Sequence, residues 1–99
     1  MNKEQKEIIQ AVFEYNTPEY NAAKLAEELL ELAVELVRLT TKPTLSDERI
    51  QAITDEVGDV TIRLKAYAKQ LDKQAIEDRI NLKLEKFREL LESKKYLTI

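Results

Sequence analysis

Residues 24–63 read KLAEELLELAVELVRLTTKPTLSDERIQAITDEVGDVTIR. Up to Leu39 the apolar residues recur at threes and fours: Leu25, Ala26, Leu29, Leu30, Leu32, Ala33, Leu36, Val37 and Leu39. That period predicts a helix, and an apolar arc covering more than half its circumference predicts contact with more than one neighbour. Thr41-Lys42-Pro43-Thr44-Leu45-Ser46 interrupts the pattern. The residue before Pro43 is pushed out of helical geometry, and Thr44 with Asp47, or Ser46 alone, can cap a third helix. There Ile50, Ile53, Val57, Val60, Leu64, Ala68 and Leu71 restore a helical stripe. Two long helices joined by so short a loop should lie antiparallel and adjacent.

Working outward, Ile8, Ile9, Val12 and Phe13 mark a short amphipathic helix over residues 2–15. Thr17 is a good N-cap and Pro18 suits a first helical position, so the second helix should start there and run to about Thr40. At the other end, Leu71-Asp72-Lys73 holds no Gly or Pro. Without a break there, one helix from 47 to about 94 would span roughly 70 Å. Asp72 can instead cap a fourth helix carrying Ile76, Ile80, Leu84, Phe87 and Leu91, and a turn near Asp72 is preferred. Lys94 to Ile99 should fray or dock on a partner.

The whole chain agrees with this pattern. Its 99 residues bound it to one domain, 1–99. One Gly and two Pro are too few turns for a sheet protein. The expectation is an all-α antiparallel bundle of about four helices, small enough that oligomerisation, to at least a dimer, is expected. No Cys and no His are present, which excludes disulfides, zinc-thiolate sites and the Ser-His and Cys-His dyads. No run is apolar enough to span a membrane, and the start of the chain lacks a signal-peptide stretch; a cytoplasmic location is expected. The net charge of −3 leaves no basic patch suited to duplex DNA.

The chemistry lies in two acidic pairs. Glu28 and Glu31 stand at i and i+3 on the second helix, and Glu56 and Asp59 do so on the third. Pairs at this spacing are neighbours on one face. In an antiparallel hairpin, residues at equal height share an index sum. Glu31 with Glu56 and Glu28 with Asp59 share one, and its midpoint falls at Pro43-Thr44. Four carboxylates should therefore form two levels of one cluster at the edge of the apolar seam. Such acids repel and raise one another's pKa. They are either solvated helix acids or ligands of a hard divalent cation, Mg²⁺ or Mn²⁺, since oxygen-only donors disfavour zinc and copper.

The same index sum pairs Lys24 with Arg63, which can either grip phosphate oxygens beside a metal or neutralise Glu27, Glu28 and Asp59. Arg79, Lys83 and Lys86 form one cationic stripe on the fourth helix, a phosphate contact or a solvated face. Glu35 meets Ala52 at equal height and should not be a ligand. Gly58, mid-helix, signals either close approach of another group or simple tolerance. Phe13, Tyr15 and Tyr20 cluster near the first turn, with core packing favoured over stacking on a base.

Glu27-Glu28-x-x-Glu31 followed by Glu56-x-x-Asp59, in an all-helical chain of this size, resembles the MazG-like nucleotide pyrophosphohydrolases of the all-α NTP pyrophosphatase superfamily. The likeness covers about residues 20–90. Asp59-Val60-Thr61-Ile62-Arg63-Leu64 is similar to that family's third helix, and Arg79-Ile80-x-x-Lys83-Leu84 to the basic start of its last. The resemblance implies Mg²⁺-dependent cleavage of a nucleoside triphosphate between the α and β phosphates, in homodimers or homotetramers with sites at subunit contacts. It implies Glu28, Glu31, Glu56 and Asp59 as metal ligands. Glu31 or Glu56 is expected to take the proton from a metal-bound water. Lys83, Arg79, Arg63, Lys24 and Lys86 are the expected phosphate holders. Phe87 and Arg88 stand where many relatives carry an Asn. Val60-Thr61 replaces the Tyr-His pair of phosphoribosyl-ATP pyrophosphatases, which disfavours that activity. The competing class is a non-catalytic helical module of the same fold that binds a nucleotide or a protein as a regulator.

Overall fold

The structure, a computed structural model, describes residues 1–41 and 46–93. These form four helices, α1 (Lys3–Tyr15), α2 (Pro18–Thr41), α3 (Asp47–Ala68) and α4 (Lys73–Glu92), with no strand among the described residues. None of the helices is long and apolar enough to cross a membrane.

Local chemistry explains each boundary. The Asn2 side chain accepts from the Gln5 backbone N–H at 2.8 Å, and the Gln5 side chain accepts from the Asn2 N–H at 2.9 Å. This reciprocal pair satisfies two of the amide donors that a helix start leaves open. Thr17 Oγ1 accepts from Tyr20 N at 3.1 Å and Pro18 opens α2, as the sequence predicts. Ser46 caps α3 through Arg49 N; Thr44 and the rest of 42–45 lie outside the described residues, as do Lys94 to Ile99.

The turn near Asp72 is present. Asp72 Oδ1 accepts from Gln74 N at 2.9 Å and from Ala75 N at 3.2 Å, so one carboxylate holds two open donors and starts α4. The single continuous helix from 47 onward is thereby excluded.

The antiparallel α2–α3 pair is the main packing contact, and α1 lies against α3. The core is thin. Among the described residues, Ile9 and Ala66 are the buried apolar ones and Asn21 the buried polar one. Asn21 ties α1 to α2 by donating to Phe13 O at 3.3 Å. The expected α1 face is half right: Ile9 is buried and Val12 and Phe13 are half-buried, but Ile8 is exposed. On α3, Ile53, Val60 and Ala68 are half-buried, while Ile50, Val57 and Leu64 stand in solvent. Tyr15 does not enter the core: it is 92% exposed, because it is the last residue of α1, where the backbone turns extended at Asn16. No residue of α4 is buried.

Candidate metal centre

Each acid sits on a helix that the sequence places there for other reasons. Leu25, Leu32 and Leu39 on α2 and Ile53 and Val60 on α3 are half-buried along the seam between the two helices. Glu28 and Glu56 lie beside that seam and are half-buried in turn, whereas Glu31 and Asp59 are exposed. The expected cluster of four carboxylates is a group of three in the structure. One carboxylate oxygen from each of Glu28, Glu31 and Glu56 lies within 4.8 Å of the others. Asp59 is outside that group of three, yet close enough that its charge helps to raise the Glu28 pKa.

Two of these oxygens, Glu28 Oε2 and Glu56 Oε2, are buried and have no hydrogen-bond partner. A buried carboxylate oxygen left without a donor is costly. Two responses to that cost are open to the site: proton uptake or cation binding. Burial, first, and then the neighbouring carboxylates Glu28 and Glu31 push Glu56 up to about 7. Glu28 is raised too, chiefly by burial, with repulsion from Glu31 and Asp59 adding to it. A proton on Glu56 lets it donate to Glu28, which is why the same contact raises one acid and lowers the other. The donor set is all oxygen and crowded with negative charge, which suits a hard divalent ion.

A cleft of 270 Å³ opens beside the acids, lined by Leu30, Glu31, Val34, Glu35 and Glu56. Sequence reasoning missed this cleft. Its signal was Leu30 and Val34 at i and i+4, next to Glu31 on the same helix. Glu35 lines it too, held by Arg38 Nη1 at 2.8 Å and 19% exposed. It is not part of the carboxylate triad, as expected.

The basic residues are distributed differently. Lys24 Nζ lies 3.2 Å from Glu27 Oε2 and 5.6 Å from the centre of the Tyr20 ring. Its pKa is raised by that contact with Glu27, and the nearby Arg63 charge opposes the rise. Lys24 is engaged by Glu27 in this structure, and Arg63 is near enough for its charge to be felt there. Arg79, Lys83 and Lys86 all lie exposed on α4 and make no hydrogen bond or ion pair among the described residues. The structure does not bring them to the acids within one chain. No family model, curated protein or solved structure matches this chain.

Proposed function

We propose that the chain is a divalent-metal-dependent nucleoside triphosphate pyrophosphohydrolase, similar in kind to the MazG-like enzymes and working as a homodimer or homotetramer. The observation that carries this is the triad of Glu28, Glu31 and Glu56 with two orphaned buried oxygens. An ordinary solvated acid face turns its oxygens to water; this one turns two of them inward with nothing to receive.

Glu28, Glu31 and Glu56 would hold Mg²⁺ or Mn²⁺, with Asp59 completing the second level. When bound, the ion supplies charge neutralisation for phosphate oxygens and a water of lowered pKa. The chain's own residues do the rest. Glu31, on the exposed side of the cleft, or Glu56 would accept the proton of the attacking water. Leu30 and Val34 offer an apolar wall for the nucleoside. Lys24 and Arg63, one turn from the acids, would hold phosphate oxygens. Arg79, Lys83 and Lys86 would reach a phosphate only from a neighbouring copy.

Pyrophosphate release from a panel of ribo- and deoxynucleoside triphosphates, with and without Mg²⁺, tests the proposal. Glu31→Gln and Asp59→Asn should remain folded, by far-ultraviolet circular dichroism, and lose at least 100-fold in turnover. Asp55→Asn, next to Glu56 on α3 but hydrogen-bonded to Gln51 at 2.7 Å, should retain it. Metal-dependent nucleotide binding without pyrophosphate release would point instead to the regulatory module.

A further inference from the structure

A second hollow lies away from the acids. A groove of 680 Å³ opens between α1, the end of α3 and the start of α4. It shares no lining residue with the acid cleft, and Lys65, where it begins on α3, stands about 14 Å along that helix from Glu56. Ile9 is buried and Ala68 half-buried at its bottom, while Leu71, Ile76 and Ile80 are 36 to 50% exposed along its sides. Ile76 and Ile80 begin the apolar stripe of α4, which runs on through Leu84 and Leu91 beyond the groove.

Around this aliphatic hollow stand Lys6, Lys65, Lys69 and Lys73 against one acid, Glu77. All four lysines are exposed, and the amine of none makes a hydrogen bond or ion pair among the described residues. Asp72, next to Lys73, is turned into the start of α4, where it accepts from the Gln74 and Ala75 amides. Positive charge is thus in excess here, in a chain whose net charge is −3.

Free amines around an aliphatic hollow suit an anion with a long apolar body. No aromatic, hydroxyl or amide side chain lines the groove among the described residues, so a nucleobase would find neither a stacking face nor a partner for its polar edge. The volume falls within the ordinary range of small-ligand sites, about 300–1,000 Å³. A flat lipid surface would rest on the exposed lysines without reaching Ile9 below them. We propose that this groove binds one long-chain acyl carboxylate, with its chain along Ile9, Ala68, Leu71, Ile76 and Ile80 and its carboxylate among the lysine amines. Burial of the chain supplies affinity, and the amines select the charge. The site is separate from the acid cleft, so the proposal stands or falls apart from the hydrolase reading.

The test titrates dodecanoate, below the concentration at which it forms micelles, into the ¹⁵N-labelled chain. Binding should saturate at one dodecanoate per chain, with amide shifts confined to α1, residues 65–71 and the start of α4. Each methylene in an apolar site is worth about fourfold in affinity, so decanoate should bind at least fivefold more weakly. Dodecylammonium, the same chain with the opposite charge, should bind at least tenfold more weakly than dodecanoate. Lys6→Glu combined with Lys73→Glu should reverse that order and leave the far-ultraviolet circular dichroism unchanged. Both lysines stand in first helical turns, where an acid suits the helix dipole. Dodecylammonium binding as tightly as dodecanoate, or shifts spread over α2 and the far end of α4, would mean unselective apolar surface and overturn the proposal. So would two results obtained without dodecanoate binding: cosedimentation with phosphatidylglycerol vesicles, which would assign a membrane surface, or binding of a helical peptide with Leu at threes and fours and Glu elsewhere, which would assign a protein partner.

Discussion

At the residue scale, Glu56 couples the chemistry of the site to the stability of the protein. Its folded pKa is raised to about 7, chiefly by burial. Between the ordinary glutamate range near 4.5 and about 7, the folded state keeps a proton that the unfolded chain has released. Stability must therefore fall as pH rises through that window. Without divalent ions, the melting temperature should be lower at pH 8 than at pH 5.5. Glu56→Gln keeps the neutral shape and removes the titration, so its advantage over the wild type should grow from pH 5.5 to pH 8. That difference cancels the contributions of the other acids, and thermal melts of the two proteins at both pH values measure it. Magnesium replaces the lost proton as the partner of the buried oxygens. Millimolar Mg²⁺ should thus raise the melting temperature of the wild type more at pH 8 than at pH 5.5, by binding linkage, and leave Glu56→Gln nearly unmoved. A wild type indifferent to Mg²⁺ and Mn²⁺ at both pH values would remove the metal centre.

At the element scale, most of the fold was legible because the signals are local. Thr17-Pro18, Ser46 and Asp72 each supply an oxygen or a fixed φ at the place where a helix must begin, and each does so. Replacing Asp72 with Ala should cost about 1 kcal/mol in chemical denaturation, as for other caps, and should loosen the angle at which α4 leaves α3. Gly58 asks a sharper question of α3. A Cβ built on it meets nothing within 4 Å, so neither a helix of the same chain nor the acid cluster requires a glycine there. Gly58→Ala should then stabilise the protein by about 0.5–1 kcal/mol through helix propensity. A loss on that substitution, in urea melts at fixed protein concentration, would mean that a group from another molecule approaches the backbone at this point. The face of α1 was less legible, since Ile8 and Ile9 are adjacent in sequence and only contact with α3 decides which one is covered.

At the scale of the whole molecule, periodicity could show that α2 and α4 have apolar faces but not what covers them. The acidic group was legible in part for the same reason as the hairpin: facing positions on two adjacent helices bring Glu28, Glu31 and Glu56 together, while Asp59, expected level with Glu28, stays outside the group. The wall of Leu30 and Val34 and the open position of α4 were not, because both depend on the path of chains beyond a single helix pair. With Ile9 and Ala66 the only buried apolar side chains among the described residues, one copy has little to offset the entropy of ordering its chain. Folding and association should then be one equilibrium, from native dimer to two unfolded chains. For such a transition a tenfold rise in protein concentration adds about 1.4 kcal/mol per dimer at room temperature. Two chains of this length unfold with an entropy of roughly 0.4 kcal/mol/K near 60 °C. The melting temperature should accordingly climb by about 3–4 °C for each tenfold increase in concentration, measured by circular dichroism from 1 to 100 μM. A higher-order assembly would steepen the slope. A melting temperature that holds constant over that range would mean that a single copy folds by itself, with the α4 stripe left to water or to its own chain.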